Sequence, residues 1–587
     1  MNQLTKLPAE KLLKLAKRLE KDPSGGKAAG EKPVRFAVLG SASIQHFVKV
    51  LRLFLDNEGI NAEIYEGEYG GIEMDVLDEA SPLYAFGADF VLLLPRFSDF
   101  PMESEKDLEE AKAHIERLWS ALDRIPGVTI LQGNTAIPLE RPLGALEAAN
   151  MDSSLSLFRR FNLSLTENHP ENVRILDLEY LSSACGKRAW FDETAWFLSK
   201  QGFSLEFLGP VAAEVSRMTA ASLGRTRKCL VLDLDNTLWG GVIGDDGPLG
   251  INVDPNDPLG EAYRAFQSYI LRLKNRGVLL AVNSKNDEAL AKEAFTENPD
   301  MILKLSDIAC FVANWDNKAQ NMSLISKKLN IGLDSLVFFD DNPAERELIK
   351  MYCPAVTVID VPEEPEAFVR VLDDVQPFEW AAVTEEDKVR TASYLENEKR
   401  EDLAARFVDY REYLKALKME AHCGEVSKTE LSRFAQLINK SNQFNLRTRR
   451  YSESEIAEMM KDSRVKCLYI SLKDTFTTYG VISCIILKFP SGEEGLSDTD
   501  CFIDTWCMSC RVLKRTVEEL ALRFMVRVSR EMGADRLAGE YIRTKKNGMV
   551  ESLLPRLGFT GIEAADRVLY GYDLNKKPEG ELWIKEI

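Results

Sequence analysis

The segment CLVLDLDNTLWGG, residues 229–241, limits the possible folds more than any other part of the chain. Its apolar run predicts a buried β-strand that ends at Asp233, with Asp235 and Thr237 following. Open α/β sheets bind ligands at the carboxyl ends of their strands. Asp233 and Asp235 project to the same side of an extended chain, and such like charges are costly unless a cation or a reaction uses them. The segment therefore predicts an acidic site at the edge of an α/β sheet.

Polar residues also occur in three later segments. Two of these segments, GVLLAVNSKN and SLVFFDDNPAER, contain apolar runs that end in polar residues, and the third is NWDNKAQN. The polar residues are Ser284, Lys285, Asn286, Lys318, Asp340 and Asp341. Because the carboxyl ends of parallel strands meet at one edge, we expect carboxylates, a hydroxyl and lysines to gather there. The alternative is that these acids are merely solvated at the ends of strands.

Apolar runs that alternate with helical patterns divide the chain into three blocks after an N-terminal helix. The first block opens at VRFAVLGSASIQ and the third near Thr384. The alternation predicts parallel, doubly wound sheets in the first two blocks, whereas consecutive strands before a helix predict an α+β third block. The predicted divisions are 1–32 for a solvated helix and linker, 33–222 and 223–380 for two α/β domains, and 381–587 for the α+β domain.

The charge balance and the cysteines argue against several classes of protein. A formal net charge of -19 disfavours a general nucleic-acid binder, which needs an excess of Lys and Arg. No apolar run approaches the roughly 20 residues of a membrane span, and the N-terminus lacks the apolar run of a signal peptide. The ten cysteines are scattered, as is typical of reduced proteins. We expect a cytoplasmic protein without nucleic-acid or membrane partners.

The order DxDxT, Ser, Lys and paired acids resembles the haloacid-dehalogenase (HAD) superfamily. The resemblance implies that Asp233 attacks phosphorus and forms an aspartyl-phosphate. Asp235 would protonate the leaving oxygen and then deprotonate the hydrolytic water. Ser284 and Lys318 would hold the phosphoryl oxygens. The spacing between the motifs leaves no room for a large cap domain.

The HAD resemblance also implies a Mg²⁺ site. Asp233, Asp340 and the backbone carbonyl of Asp235 would hold the ion, with Asp341 in support, because a hard cation prefers oxygen ligands. Further substrate-binding candidates in these motifs are Thr237, Ser284, Lys285 and Asn286.

A larger set of segments resembles the FkbH-like family over roughly residues 220–587, and more weakly in the first block. The set includes LDLDNTLWGGVIGDDG, LINKSNQFNLRTRRY, SCRVLKRTVE and YIRTKKNGMV. The resemblance implies an enzyme that dephosphorylates D-1,3-bisphosphoglycerate and transfers the glyceryl group, through a thioester, to an acyl carrier protein. Two sites are implied, since an acyl phosphate invites thiolate attack whereas a phosphate monoester needs a metal-assisted phosphatase.

The segment TWCMSCRVLKR contains Cys507 and Cys510, which could form a redox pair, part of a metal site or a reactive thiol. Their position late in the block disfavours a redox pair, and no second CxxC or HxxxH accompanies them to bind zinc. In the FkbH-like resemblance the matching thiol is Cys510, which would carry the glyceryl thioester beside Arg511 and a helix N-terminus. An inert core role is the alternative for Cys510, and Cys507 is expected only to pack.

The third block also resembles acetyltransferase-like (GNAT) folds, in which a strand–helix turn holds a pantetheine chain. Lys514 and Thr516 replace two glycines of the FkbH-like pattern, which disfavours coenzyme A as a substrate. The segment with Arg447, Arg449 and Arg450 is either a turn with a solvated basic face, or a wall of the thioester site and a patch for an acidic carrier protein. The implied substrate-binding residues of this block are Asn442, Gln443, Asn445, Arg511, Lys546 and Asn547.

The first block resembles an SGNH-hydrolase or flavodoxin-like fold. Its serine would be Ser41 or Ser43, but no convincing His and Asp partners follow late in the block, so we expect a structural or docking role. The predicted architecture is an α/β multidomain protein with this N-terminal domain, a HAD-like core and a GNAT-like C-terminal domain. The functional alternatives are a HAD phosphatase whose third domain only recognises a substrate, and a non-catalytic carrier-protein scaffold.

Overall fold

The computed structural model of the chain describes residues 2–23, 26, 28, 33–167, 169–380, 409–441, 443–475, 477–493, 495–509, 512–544, 547–562 and 568–587. The chain divides into two compact units. The first comprises Met1–Leu223 and Tyr451–Ala457, and the second comprises Gly224–Arg450 and Glu458–Ile587. None of the helices described is long and apolar enough to cross a membrane.

The first unit contains a five-stranded parallel sheet in the order β2-β1-β3-β4-β5. Alternate residues of β1 enter two separate core clusters, so helices cover both faces of the sheet. The strands are β1 Val34–Gly40, β2 Ala62–Glu66, β3 Phe90–Leu94, β4 Thr129–Gly133 and β5 Val173–Leu176. The helices are α1 Asn2–Thr5, α2 Ala9–Lys21, α3 Gln45–Asn57, α4 Ile72–Leu77, α5 Pro82–Phe86, α6 Glu105–Leu122, α7 Ser154–Glu167, α8 Leu178–Cys185, α9 Lys187–Trp190, α10 Glu193–Ser199 and α11 Leu208–Ser222.

The N-terminal helix differs from its prediction. We predicted a solvated helix outside the first domain, but Leu12 and Ala16 of α2 are buried, and Leu12 joins the core cluster that contains Phe36 of β1. The apolar stripe of α2 explains this packing, because an amphipathic helix gains stability only when its apolar face is covered.

The second unit contains a five-stranded parallel sheet in the order β10-β9-β6-β7-β8, with the strand of the DxDxT motif at its centre. Its strands are β6 Cys229–Leu232, β7 Leu279–Ser284, β8 Cys310–Ala313, β9 Leu336–Phe339 and β10 Thr357–Val358. The helices are α12 Ile243–Asp246, α13 Pro258–Asn275, α14 Glu288–Glu297, α15 Lys318–Lys328, α16 Pro343–Tyr352 and α17 Phe368–Val375.

The rest of the second unit is built on an eight-stranded mixed sheet in the order β16-β17-β15-β14-β13-β12-β11-β18. β14 and β15 run parallel and pair only along Asp500–Ile503, so the second half of β14 extends past β15. The strands are β11 Met419–Glu425, β12 Val465–Lys473, β13 Thr478–Lys488, β14 Asp500–Met508, β15 Arg536–Glu540, β16 Thr560–Ile562, β17 Leu569–Asp573 and β18 Ile584–Glu586. The remaining helices are α18 Tyr410–Ala416, α19 Lys428–Lys440, α21 Val517–Glu531 and α22 Leu553–Arg556, together with α20 Glu453–Met459, most of which belongs to the first unit.

The prediction of a multidomain α/β protein with parallel sheets is confirmed. Between Thr237 and Pro258 the chain forms only the four-residue helix α12, so no cap domain is inserted there. The predicted division at 380–381 borders residues outside those described, and the four domain ranges stay predictions.

Candidate active site

The candidate active site lies where β6 and β9 end side by side. Leu232 pairs with Phe339, which sets the residues that follow, Asp233 and Asp340, next to each other. The Asp233 amide donates to the Phe339 carbonyl at 3.1 Å. β6 and β9 are fully buried apolar strands, so the first polar residues of both runs appear at the carboxyl edge of the sheet.

Lys318 neutralises part of the charge between the two strands. This residue begins α15, and its Nζ lies 2.8 Å from Asp233 Oδ2 and 2.7 Å from Asp340 Oδ2. All three side chains are buried, and buried charges need close partners to offset desolvation. Burial acts to lower the pKa of Lys318, but the two carboxylates raise it above its usual value. Burial, reinforced by Asp233, raises the pKa of Asp340 to about 7.

Asp341 completes a group of three carboxylates. Its Oδ1 accepts a hydrogen bond from Thr237 Oγ1 at 3.1 Å, and its amide donates to the same hydroxyl at 3.2 Å. Burial and the nearby Asp233 raise the pKa of Asp341. One oxygen from each of Asp233, Asp340 and Asp341 lies within 4.8 Å of the others, the one such group of three in the part of the chain that the structure describes. Three carboxylates and one ammonium leave excess negative charge for a cation with oxygen ligands.

The Asp235 carboxylate does not belong to this group. Its Oδ1 accepts hydrogen bonds from Trp239 Nε1 at 2.9 Å and from the Ile243 amide at 3.0 Å. Its Oδ2 accepts from Asn286 Nδ2 at 2.9 Å. The carboxylate is therefore held in one orientation, while the metal role predicted for its backbone carbonyl stays a prediction.

Asn286 connects the end of β7 to Asp235. Its Nδ2 also lies 3.1 Å from the Oγ of Ser284, and both residues are buried. Lys285, between them, is exposed, and its Nζ contacts Glu345 Oε1 at 2.5 Å. The structure thus brings Ser284 and Asn286 to Asp235 and pairs Lys285 with a glutamate instead of the aspartates.

Sequence reasoning missed the residues that orient the others. Arg346 donates to the carbonyls of Asp340 and Asp341 at 2.8 and 2.6 Å, which fixes the turn after β9. Asn283 donates to the Lys318 carbonyl at 3.0 Å. The signal for Asn283 was present, since a buried polar residue in an apolar strand needs a specific partner. Trp239, in contrast, looked like an ordinary apolar residue.

The polar residues predicted for the third sheet support its loops. Asn547 is buried, and its Nδ2 donates to the carbonyls of Asn445 and Ile542 at 3.0 and 2.9 Å. Asn445 is also buried, with its Oδ1 accepting from the Thr448 amide at 2.8 Å. Gln443 is half-buried. Asn442, Cys510, Arg511 and Lys546 lie outside the described residues.

Cys507 is fully buried in β14, opposite Cys484 of β13. Burial, reinforced by Cys507, raises the pKa of the Cys484 thiol far above its usual value. Cys507 is buried between neighbouring strands, so the described half of the cysteine pair has the properties of a core residue.

The arginines near Asn445 do not form the expected solvated face. Arg447 is 6% exposed, and its Nε lies 3.0 Å from Glu540 Oε2. Asp504, which is fully buried, is contacted by Arg449 at 3.0 Å and by Lys488 at 2.9 Å. These cations stabilise internal carboxylates, so at Arg447 the expectation of a solvated turn or an open basic patch is wrong.

Comparisons with known proteins agree with this arrangement. The family model described as FkbH, N-terminal domain, matches residues 35–219. The N-terminal part of the protein BF1531 from Bacteroides fragilis, whose solved structure contains a phosphatase domain complexed with Mg, is 31% identical with a TM-score of 0.59. That match covers 64% of this chain and 100% of that chain. No curated protein matches the chain.

Two acetyltransferases illustrate weaker likenesses. The ribosomal-protein-S18-alanine N-acetyltransferase from Escherichia coli is 12% identical and covers 27% of this chain and 98% of its own, with a TM-score of 0.21. Ard1 from Thermoplasma volcanium is 14% identical and covers 26% of this chain and 94% of its own, with a TM-score of 0.20. Similarities at such low TM-scores do not assign the third sheet to a fold.

A strand-end aspartate, an opposing lysine and two further aspartates at the edge of a parallel sheet define a HAD-type protein. The chain belongs to the FkbH-like HAD proteins.

Proposed function

We propose that the chain is a Mg²⁺-dependent phosphatase that also transfers the dephosphorylated acyl unit. The observation that carries the phosphatase half is the buried contact of Lys318 with Asp233 and Asp340 beside Asp341. Asp233 Oδ attacks phosphorus, the bond to the leaving oxygen breaks, and Asp235 gives that oxygen a proton. Asp235 then takes a proton from water as the water oxygen attacks the aspartyl-phosphate and releases inorganic phosphate.

The residues at this edge suit Mg²⁺. Asp233, Asp340 and Asp341, with the carbonyl of Asp235, would hold the ion, and bound Mg²⁺ would neutralise charge on the phosphoryl oxygens. Lys318 and the Ser284 hydroxyl bind the same oxygens as charge develops. Thr237 keeps Asp341 oriented through its hydroxyl.

The substrate proposed is a phosphorylated three-carbon acyl donor, D-1,3-bisphosphoglycerate. The Cys510 thiolate attacks the acyl carbon and expels inorganic phosphate from C1, which gives an enzyme thioester, and the Asp233 site hydrolyses the C3 phosphate monoester to give the glyceryl group. The pantetheine thiol of an acyl carrier protein then takes the glyceryl group and returns the Cys510 thiol. Membership in the FkbH-like proteins and the absence of a cap between Thr237 and Pro258 support a large, carrier-bound partner.

Finer fold assignments belong to the same proposal. The strand order of the first sheet favours an SGNH-like or flavodoxin-like domain, because doubly wound flavodoxin-like sheets use this order. The separation of β14 from β15 after Ile503 favours a GNAT-like domain with a cleft between two parallel strands. A cytoplasmic location follows from the reduced cysteines that we propose.

A second candidate is a HAD phosphatase whose third sheet only recognises its substrate. The observation that favours it is the engagement of Asn445 and Asn547, whose amide groups hydrogen-bond to the backbone instead of facing an open site. The two candidates share the Asp233 chemistry and differ in whether Cys510 becomes acylated.

The test combines phosphate release with intact mass spectrometry of the enzyme and a carrier protein. With D-1,3-bisphosphoglycerate and Mg²⁺, we expect Asp233→Asn to abolish phosphate release at the HAD site, whereas Asp245→Asn, an exposed neighbour on α12, keeps it. Cys510→Ala should release phosphate from the monoester but transfer no glyceryl mass, and Cys507→Ala should retain transfer. Glyceryl transfer by Cys510→Ala would rule out the thioester role, and loss of the C3 monoester phosphate in Asp233→Asn would rule out Asp233 as the nucleophile.

A further inference from the structure

A cavity of about 430 Å³ lies at the carboxyl edge of the first sheet, far in sequence from the aspartate group. It is formed entirely by the first unit. One side is Ser41, directly after β1, another is the turn after β3 with Asp99 and Phe100, and a third is one face of α6. Its volume is within the range of small-molecule sites, which are roughly 300–1,000 Å³.

The polar groups in the cavity already have partners within the first unit. Ser41 Oγ and Asp99 Oδ2 both accept from the Arg96 amide, at 2.9 and 2.8 Å. His114, on α6, has its Nδ1 3.4 Å from Glu73 Oε1 instead. No hydrogen bond joins Ser41 to a histidine among the described residues. A serine nucleophile needs a base on its hydroxyl, so the arrangement favours binding over hydrolysis.

Acidic groups predominate in the cavity wall. One arginine, Arg117, and His114 face a larger number of carboxylates. The carboxylates are Glu73, Asp99, Asp107 and Glu110. A ligand with positive charge is attracted to this wall, and an anion is repelled.

The positive charge is better supplied by an organic group than by a metal ion. In the part of the chain that the structure describes, the cavity carboxylates do not form a group of three ligands within 4.8 Å, whereas Asp233, Asp340 and Asp341 do. The cavity also has an apolar side, made by Ile72, Phe100, Ile115 and Leu118, all of them buried. An apolar wall facing carboxylates is complementary to an amphipathic cation.

We propose that this cavity binds a small organic amine, with its protonated nitrogen against Asp99 and Glu73 and its apolar body against Phe100 and Ile115. The site is independent of the phosphatase chemistry and of the acyl transfer. Ser41 acts as a hydrogen-bonding residue that holds the Arg96 amide together with Asp99, not as a nucleophile.

Isothermal titration calorimetry on the full-length protein tests this proposal with three probes of similar shape. Phenethylamine, phenethyl alcohol and hydrocinnamate carry a positive, a neutral and a negative end on the same phenethyl body. We expect phenethylamine to bind at least about tenfold more tightly than the other two, the value of one charge-assisted hydrogen bond. Added salt should weaken the binding of phenethylamine and leave the binding of phenethyl alcohol unchanged.

Two variants locate the binding. Asp99→Asn should lower the affinity for phenethylamine about tenfold. Glu73→Gln, at an exposed position of α4, should also lower this affinity and does not threaten folding. Glu116→Gln, an exposed residue of α6 outside the cavity, is the matched control and should bind normally. Tighter binding of hydrocinnamate, equal binding of the three probes, or unchanged phenethylamine affinity in both cavity variants would overturn the proposal.

Discussion

At the scale of the residue, Asp340 has a pKa that its surroundings change strongly. Burial and the adjacent Asp233 raise its pKa to about 7, against about 3.9 for an aspartate in an unfolded chain. Between these values the folded, metal-free protein binds a proton that the unfolded chain has lost. Its stability therefore falls as the pH rises from about 4 to about 7 and then levels off.

Because Mg²⁺ must displace that proton, we expect its affinity to increase about tenfold per pH unit below pH 7 and to become constant above it. Calorimetric titration of the metal-free protein with Mg²⁺ over this range measures the slope. Asp340→Asn should lower the affinity for Mg²⁺ at every pH and remove the dependence of that affinity on pH. An affinity of the native protein that does not change between pH 5 and 7 would contradict the assignment of Asp340 as a ligand.

Lys514 has a backbone conformation that is unfavourable for a residue with a side chain. Its φ of 62° is left-handed, a conformation that favours glycine. Left-handed geometry costs a residue with a Cβ atom about 1–2 kcal/mol, and only part of this is recovered as the lower chain entropy of a non-glycine residue. Lys514→Gly should therefore raise the free energy of unfolding by about 0.5–1 kcal/mol.

Chemical denaturation measures this change. The control is Lys17→Gly, at an exposed position inside α2, which should lower the free energy of unfolding by about 0.5–1 kcal/mol. If Lys514→Gly destabilises the protein as Lys17→Gly does, the left-handed geometry is not a source of strain.

At the scale of the element, the strands that carry the site could be predicted because they are short buried runs that end in polar residues. β6, β7 and β9 meet this description, whereas β12, β13 and β14 of the third sheet could be predicted as longer apolar-rich runs. β2, β8, β11, β16, β17 and β18 were not predicted, since they are short or lie near charged or glycine-containing segments without a clear alternation. The order of strands could not be derived either, because pairing depends on tertiary packing.

The same limit applies to the connection after β6. Sequence position placed Asp235 beside Asp233, but the contact of Asp235 with the Trp239 indole depends on the turn that returns the chain over the strand. Asn286 was predicted as a substrate ligand, yet its amide bridges Ser284 and Asp235. Such contacts depend on side-chain orientation across two strands, which no linear pattern contains.

Trp239→Phe tests the importance of this connection. The indole is fully buried, so the loss of its hydrogen bond and of part of its volume should cost about 1–3 kcal/mol of stability. With one donor to Asp235 removed, we expect kcat for phosphate release to fall about tenfold while KM changes little, because Trp239 orients Asp235 without forming the phosphoryl site.

The matched control is Trp119→Phe. Trp119 is also buried, and its Nε1 donates to Gln132 Oε1 at 2.9 Å in the first unit. A similar loss of stability with an unchanged kcat isolates the positioning effect. An equal drop in kcat for both variants would show that Trp239 acts only through global stability.

At the scale of the whole molecule, the apolar cores are divided as the two units are. The two clusters that contain Phe36 and Ala37 lie within Met1–Leu223, and the clusters that contain Leu230, Cys229 and Trp506 lie within Gly224–Ile587. Two compact units that share no core cluster can unfold in separate transitions, because most of the stabilising contacts of each lie within that unit.

Differential scanning calorimetry of the full-length protein should therefore show two transitions that respond to different ligands. A ligand at 100 times its Kd stabilises the unit that binds it by about 2.7 kcal/mol. Mg²⁺ should raise only the Tm of the second unit, and Asp340→Asn should remove that shift. Phenethylamine should raise only the Tm of the first unit, and Asp99→Asn should remove that shift. If either ligand moves both transitions, the two units unfold together. The aspartate group and the cavity are then coupled through the protein, because linkage cannot raise the Tm of a unit whose unfolding is independent of the bound site.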